Sequence, residues 1–98
     1  MGQVRWTLEA ERWLRDIYDY IARDNPAAAL RTVQGIREKA ETLTSFPERG
    51  YRYHERSNEH VRILLYGHYR IAYLVQDGDV TILGVFHGAL DIDRYLSS

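Results

Sequence analysis

Arg70 and His87 are the pair of residues in this chain whose types and spacing could do chemistry. A guanidinium can stabilise the charge of a phosphate, and an imidazole can move a proton near neutral pH; together they would suit cleavage of an RNA backbone. Their proximity is inferred from the turn between them. Asp77-Gly78 is the residue pair that a two-residue type I′ hairpin requires, because both central residues need positive φ. A loop of that length sets Val75 opposite Val80 and His68 opposite His87, and it makes Arg70 and His87 diagonal cross-strand neighbours. On this register Arg70, Ala72 and Leu74 share a face with Thr81, Leu83, Val85 and His87, while Ile71, Tyr73 and Val75 share the other with Val80, Ile82 and Gly84. A plainer alternative stands beside the catalytic one: His87 merely ends a strand, and Arg70 pairs with Asp91 or Asp93.

Three segments must hold this pair, and each is rich in β-branched and aromatic residues bounded by turn residues. They are Val61 to Tyr66, Tyr69 to Val75 and Val80 to Phe86, consecutive antiparallel strands, with Gly67-His68 suited to a type II′ turn. Both faces of the resulting sheet are largely apolar. Upstream, Gln3 to Thr7 forms a short first strand, and Thr7 caps a helix running to about Arg23 with Glu9 and Glu11 at its positive end. Ala10, Trp13, Leu14, Ile17, Tyr18 and Ile21 line the inner side of that helix. Asn25-Pro26 starts a second helix, to about Ser45, with Ala29, Val33, Ile36, Ala40 and Leu43 facing inward. Trp6 and Trp13 are expected to anchor the core between strand one and helix one. A helical hairpin covers only one sheet face, so the other must meet the C-terminal segment, another chain, or both. Tyr51 to Glu59 reads as the longest irregular stretch.

The totals bound the function. With 98 residues and no cysteine, the chain is expected to be one domain, residues 1–98, stabilised by ordinary packing, with no disulfide, thiolate metal site or cysteine nucleophile. A net charge of −1 argues against broad phosphate gripping and against direct specific DNA binding. The segment from Arg49 to Arg70 is nevertheless locally basic, with five arginines against Glu55 and Glu59 and with His54, His60 and His68 interleaved. His54, Glu55, His60 and His68 lack helical ligand spacing, so no metal is expected. No glycine-rich phosphate loop points to a cofactor. No apolar run approaches the ~20 residues of a membrane span, and the N-terminus lacks a signal peptide's apolar core, so a cytoplasmic protein with no membrane partner is expected.

Taken in order, these pieces resemble the RelE/ParE superfamily of toxins from bacterial type II toxin–antitoxin modules. The likeness runs through Val4-Arg5-Trp6-Thr7, Leu14-Arg15-Asp16-Ile17-Tyr18-Asp19-Tyr20-Ile21-Ala22 and Asn25-Pro26-Ala27-Ala28-Ala29. It continues in Leu43-Thr44-Ser45-Phe46-Pro47-Glu48-Arg49-Gly50, Val61-Arg62, Tyr69-Arg70-Ile71-Ala72-Tyr73 and Val80 to Gly88. The resemblance implies an α+β fold, β-α-α-β-β-β, with a helical hairpin on a twisted antiparallel sheet and a short C-terminal helix. It also implies a cognate antitoxin whose C-terminal segment wraps the toxin. The Ala10-Glu11-Arg12-Trp13-Leu14, Asn25-Pro26 and Phe46-Pro47-Glu48-Arg49-Gly50 pieces look closer to ParE, which inhibits DNA gyrase, than to RelE, which cuts mRNA in the ribosome. On the ParE-like expectation Arg62, Arg70, His87, Asp91, Arg94 and Tyr95 would contact the target. Leu90 departs from the arginine that ParE-like chains often carry there. On the RelE-like alternative Arg70 and His87 would be catalytic, with Tyr95 a poor counterpart of the C-terminal tyrosine common in RelE-like sites. A degenerate toxin retained as a binding module is a third possibility.

Overall fold

The computed structural model describes residues 2–53 and 61–88. In chain order they form β1 (Val4–Trp6), α1 (Leu8–Ala22), α2 (Pro26–Glu41) with a closing 3-10 turn (Thr42–Thr44), β2 (Tyr51–Arg52), β3 (Val61–Tyr66), β4 (Tyr69–Gln76) and β5 (Asp79–His87). Both helices start where their caps dictate. Thr7 Oγ1 accepts from the Ala10 N–H at 2.9 Å, and Asn25 Oδ1 accepts from the Ala28 N–H at 3.0 Å; caps of this kind contribute about 1 kcal/mol each. The second helix stops at Glu41, short of Ser45, because its last turn tightens into the 3-10 segment. Tyr51 and Arg52, expected in an irregular stretch, pair with β3 instead.

The sheet order is β1-β5-β4-β3-β2, which corrects the expectation of a wholly antiparallel sheet. Strands β2 to β5 are antiparallel neighbours, but β1 lies parallel to β5, with Val4 opposite Val80 and Trp6 opposite Ile82. A parallel pair needs a long crossover, and the two helices supply it. The short C-terminal helix expected from the resemblance falls on residues 89–98, outside the described ones.

Both two-residue hairpins have the expected backbone. Asp77 and Gly78 have φ of 52° and 83°, and Gly67 has φ of 58°. The register does not survive the length of β5. Val75 opposes Val80 and Tyr73 opposes Ile82, yet Ala72 opposes Gly84, so Leu83 is an extra, unpaired residue. Gly84 explains why the bulge sits here: a Cβ at that position would lie 2.6 Å from the Phe86 ring and 3.4 Å from Trp13, and glycine in a strand commonly marks a bulge or a close approach.

The bulge reassigns the faces beyond it. Val85 opposes Ile71, and both join the core under the helices with Ala10, Leu14, Ile36, Ala40, Leu43, Leu64, Tyr73, Val80 and Ile82. Phe86 opposes Arg70 and turns to the helix-free face, where it forms a second buried cluster with Val61, Ile63 and Ala72. The expectation that both faces are apolar therefore holds, although Val85 lies on the face opposite to the one assigned by the hairpin alone. Trp13 packs against both clusters and meets Phe86 edge-on at 4.6 Å. It can do so because β1 covers β5 only as far as Ile82. Trp6 packs on the main core with the Arg37 guanidinium 4.9 Å from its ring centre, and Arg37 also reaches Glu11 at 2.6 Å.

Candidate functional site at the open end of the sheet

Arg70, His68 and His87 line one pocket of about 330 Å³ at the end of the β3–β4 hairpin, together with Leu65, Gly67 and Gly88. No carboxylate is among the described residues that line it, so one permanent cation and two imidazoles set its character. Gly67 and Gly88 have φ of 58° and 98°, a region that favours glycine, and among the described residues nothing lies within 4 Å of a Cβ placed on either. Their backbone thus borders the pocket unobstructed.

The sequence brings Arg70 and His87 to this pocket by a route different from the expected one. Past the bulge, His87 opposes Tyr69, and Arg70 opposes Phe86. By alternation the two side chains leave the sheet on opposite faces, so their expected position as diagonal neighbours on one face is corrected. They meet only because both stand at the strand ends bordering the same hollow. Arg70 Nη1 donates to Tyr51 Oη at 3.0 Å, which ties the guanidinium toward β2. The exposed His87 ring lies 5.3 Å from the Tyr69 ring and 6.1 Å from that of His68, centre to centre. Burial pushes the Tyr69 phenol above its ordinary pKa, keeping it neutral in the physiological range.

Arg62 stands elsewhere. It projects on the helix side of β3, where Nη1 donates to the carbonyls of Glu48 at 3.2 Å and Gly50 at 2.7 Å. Asp91, Arg94 and Tyr95 lie outside the described residues, as do the pairing of Arg70 with Asp91 or Asp93 and the histidines His54 and His60. Tyr51 is the site residue that the sequence reading missed. The signal for it was the alternation of Tyr51, Arg52 and Tyr53, which pairs with β3.

The sequence model for the ParE toxin of type II toxin–antitoxin system, parDE, matches residues 4–92. The chain belongs to that family. As a ParE/RelE-family protein it is a toxin of a type II toxin–antitoxin system, and relatives within the family carry names from both of its branches. Toxin RelE2 of Caulobacter vibrioides is 36% identical over 89 residues, covering 91% of this chain and 98% of that one. Putative toxin Y4kP of Sinorhizobium fredii is 36% identical over 85 residues, covering 87% and 86%. Among solved structures, the chromosomal ParDE system of P. aeruginosa superposes with a TM-score of 0.75 at 26% identity, covering 91% of this chain and 98% of that one. The RelBE2 toxin–antitoxin complex of Mycobacterium tuberculosis gives 0.68 at 28% identity, covering 90% and 92%. In this toxin no described helix is long and apolar enough to cross a membrane.

Proposed function

We propose that this toxin arrests growth by binding and inhibiting a protein target, DNA gyrase, and that a cognate antitoxin neutralises it. The observation that carries the choice of binding over cleavage is the bulge at Leu83. It sends the imidazole of His87 and the guanidinium of Arg70 off opposite faces, and Tyr51 holds the guanidinium toward β2. A general acid and a charge stabiliser that act on one phosphate must converge on it, and these two reach the hollow from opposite faces of the sheet. An arginine fixed by a phenol at a strand end is well suited to a directional contact with a protein surface.

One observation favours a second reading, the ribosome-dependent mRNA endonuclease. Arg70, His68 and His87 do border one hollow free of described carboxylates, and a relative is named Toxin RelE2. Inducing the toxin alone and assaying plasmid supercoiling and transcript integrity separately distinguishes the two. Lost supercoiling with intact transcripts is expected; cleaved transcripts with normal supercoiling would sink the gyrase reading. Growth unaffected by either route would point to the degenerate binding module.

The antitoxin follows from the second apolar face. Val61, Ile63, Ala72 and Phe86 form a cluster on the side the helices leave free, and Leu65 and Tyr51 stand half exposed on the same side. The cluster itself is already buried, so a partner would gain by covering the half-exposed Leu65 and Tyr51, each contributing part of the roughly 1.5 to 3 kcal/mol of a fully exposed side chain before ordering costs. The toxin produced alone is expected to self-associate, and co-expression with the neighbouring small gene should yield a monodisperse complex. A stable monomer obtained without the partner would count against this.

A further inference from the structure

The turn that joins the helices to the sheet is locked from beneath and bare on top. Below it, the fully buried Tyr73 donates Oη to the Pro47 carbonyl at 2.8 Å and accepts from the Gly50 N–H at 2.9 Å. Arg62 holds the Glu48 and Gly50 carbonyls from the same side. Gly50 has no room for a side chain, since an added Cβ would come within 2.5 Å of the Ile63 carbonyl oxygen. On the outer side Phe46 is 64% exposed and lines a groove of about 510 Å³ with Ser45, Pro47, Glu48 and Arg49. The Arg49 guanidinium stands 5.9 Å from the Phe46 ring centre, and Arg52 is exposed on β2 close by in sequence. Among the described residues neither arginine forms an ion pair.

Folding gains nothing from leaving a phenyl ring in water, yet two side chains, Tyr73 and Arg62, and a glycine fix the backbone that displays it. A surface whose ordering cost is already met on folding binds more tightly than a mobile one. Exposed aromatic and arginine side chains are also the types that dominate binding energy at protein interfaces. The geometry points to the 45–49 turn as a docking surface for the toxin's protein target, with Phe46 entering an apolar socket whose rim carries carboxylates for Arg49 and Arg52. This rests on the reading of the chain as a target-binding toxin. Two other occupants fit less well. A second copy would set Arg49 and Arg52 of each chain against a single described carboxylate of the other, Glu48, so that like charges outnumber opposite ones across a two-fold axis. An antitoxin segment covering the free apolar face would lie on the other side of the sheet from Arg62 and Tyr73, which carry the turn.

The test uses the full chain with Phe46→Ala and, separately, Arg49→Glu combined with Arg52→Glu. Growth arrest, half-inhibition of plasmid supercoiling, antitoxin affinity, melting temperature and mass by light scattering are read for each. Both variants should lose potency by about tenfold or more while antitoxin affinity, melting temperature and mass stay at parental values. Unchanged potency would overturn the proposal. A parallel loss of antitoxin affinity would make the antitoxin the occupant, and a fall in self-association would make it a second copy; either overturns the target assignment. If the parent arrests growth without affecting supercoiling, gyrase is the wrong target, and growth arrest still decides the role of the turn. A parent that arrests no growth would overturn both readings together.

Discussion

Arg62 and Arg70 occupy adjacent strands of the same sheet and do different work, because the two ends of that sheet are built differently. At one end Arg62, Tyr73 and Gly50 interlock beneath a turn, and the guanidinium is occupied by two backbone carbonyls. At the other, Arg70 donates, among the described residues, to the Tyr51 phenol and borders the hollow at the end of the β3–β4 hairpin. Residue type is the same, but face and neighbours decide the role: Arg62 commits its Nη1 donors to two carbonyls of the chain's own turn, whereas Arg70 gives one bond to a phenol at the rim of a hollow. The closed end ties its arginine into the turn by two hydrogen bonds, whereas the other end ties its own by one.

The largest effects should come from the closed end. Gly50→Ala forces a Cβ against the Ile63 carbonyl at 2.5 Å and Tyr73 Oη at 2.8 Å. The first of these is backbone and cannot swing away, so about 1 to 3 kcal/mol of stability should be lost, as for other overpacked interiors. Tyr73→Phe removes the acceptor of the Gly50 N–H and the donor to Pro47, with an expected loss of about 1 to 3 kcal/mol. Arg70→Ala, by contrast, should stay within about 0.5 kcal/mol of the parent, as exposed substitutions do. Urea unfolding checks all three. A Gly50→Ala protein as stable as the parent would mean that the turn is not locked and that the two ends do not differ as described.

How far these ends were legible in the sequence depended on whether a local or a long-range signal set them. The caps at Thr7 and Asn25 and the turns at Gly67-His68 and Asp77-Gly78 were all visible, because each depends on a few adjacent residues. The inward stripe of the second helix was visible as well, with Ala29, Ile36, Ala40 and Leu43 buried as expected. The parallel pairing of β1 was not, since nothing in three residues states which edge they join. Hairpin counting alone assumed an unbroken ladder and so missed the bulge, although Gly84 inside an apolar strand was its signal. That one residue moved Val85, Phe86 and His87 to the other faces and changed the chemistry assigned to the Arg70 and His87 pair. The clamp of Arg62 and Tyr73 on Pro47 to Gly50 joins segments far apart in sequence, which no local pattern reveals.

At the open end, function rather than stability should respond. If the toxin binds its target through Arg70, then Arg70→Ala should weaken inhibition about tenfold, the scale of one interface hot spot. Arg70→Lys should do nearly as much harm, since it keeps charge but loses the planar fork. His87→Ala should leave toxicity within about twofold, because by register the imidazole leaves the opposite face from Arg70. The nuclease reading predicts otherwise: removal of a proton-transfer group slows cleavage by about 100-fold or more. An inert Arg70→Ala together with an inert His87→Ala would show that the open end has no role in toxicity.

The smallest effect is a pH dependence confined to the closed end. The Tyr73 phenol is raised above its ordinary value of 10.0 chiefly by burial. The Gly50 N–H and the Arg62 charge pull it down, and Glu48 pushes it up. The folded chain therefore holds this proton more tightly than the unfolded chain does, so the unfolded state loses its proton first as pH rises. The corresponding stability is present in full below about pH 10 and disappears as pH climbs through the raised folded value, at up to about 1.4 kcal/mol per pH unit. Tyr69, raised by burial as well, adds a slope of the same sign, so the parent alone cannot isolate Tyr73. The difference between parent and Tyr73→Phe can, because every other group cancels in it. Unfolding free energies measured between about pH 8 and pH 11 should converge for the two proteins as pH rises, the parent losing its advantage. Arg62→Ala removes one of the influences that lower the phenol, so in that background the convergence should shift to higher pH. Two curves that stay parallel throughout would show that the Tyr73 proton is not held by the fold, and the hydrogen bonds from Tyr73 to the turn would lose their claim to lock it.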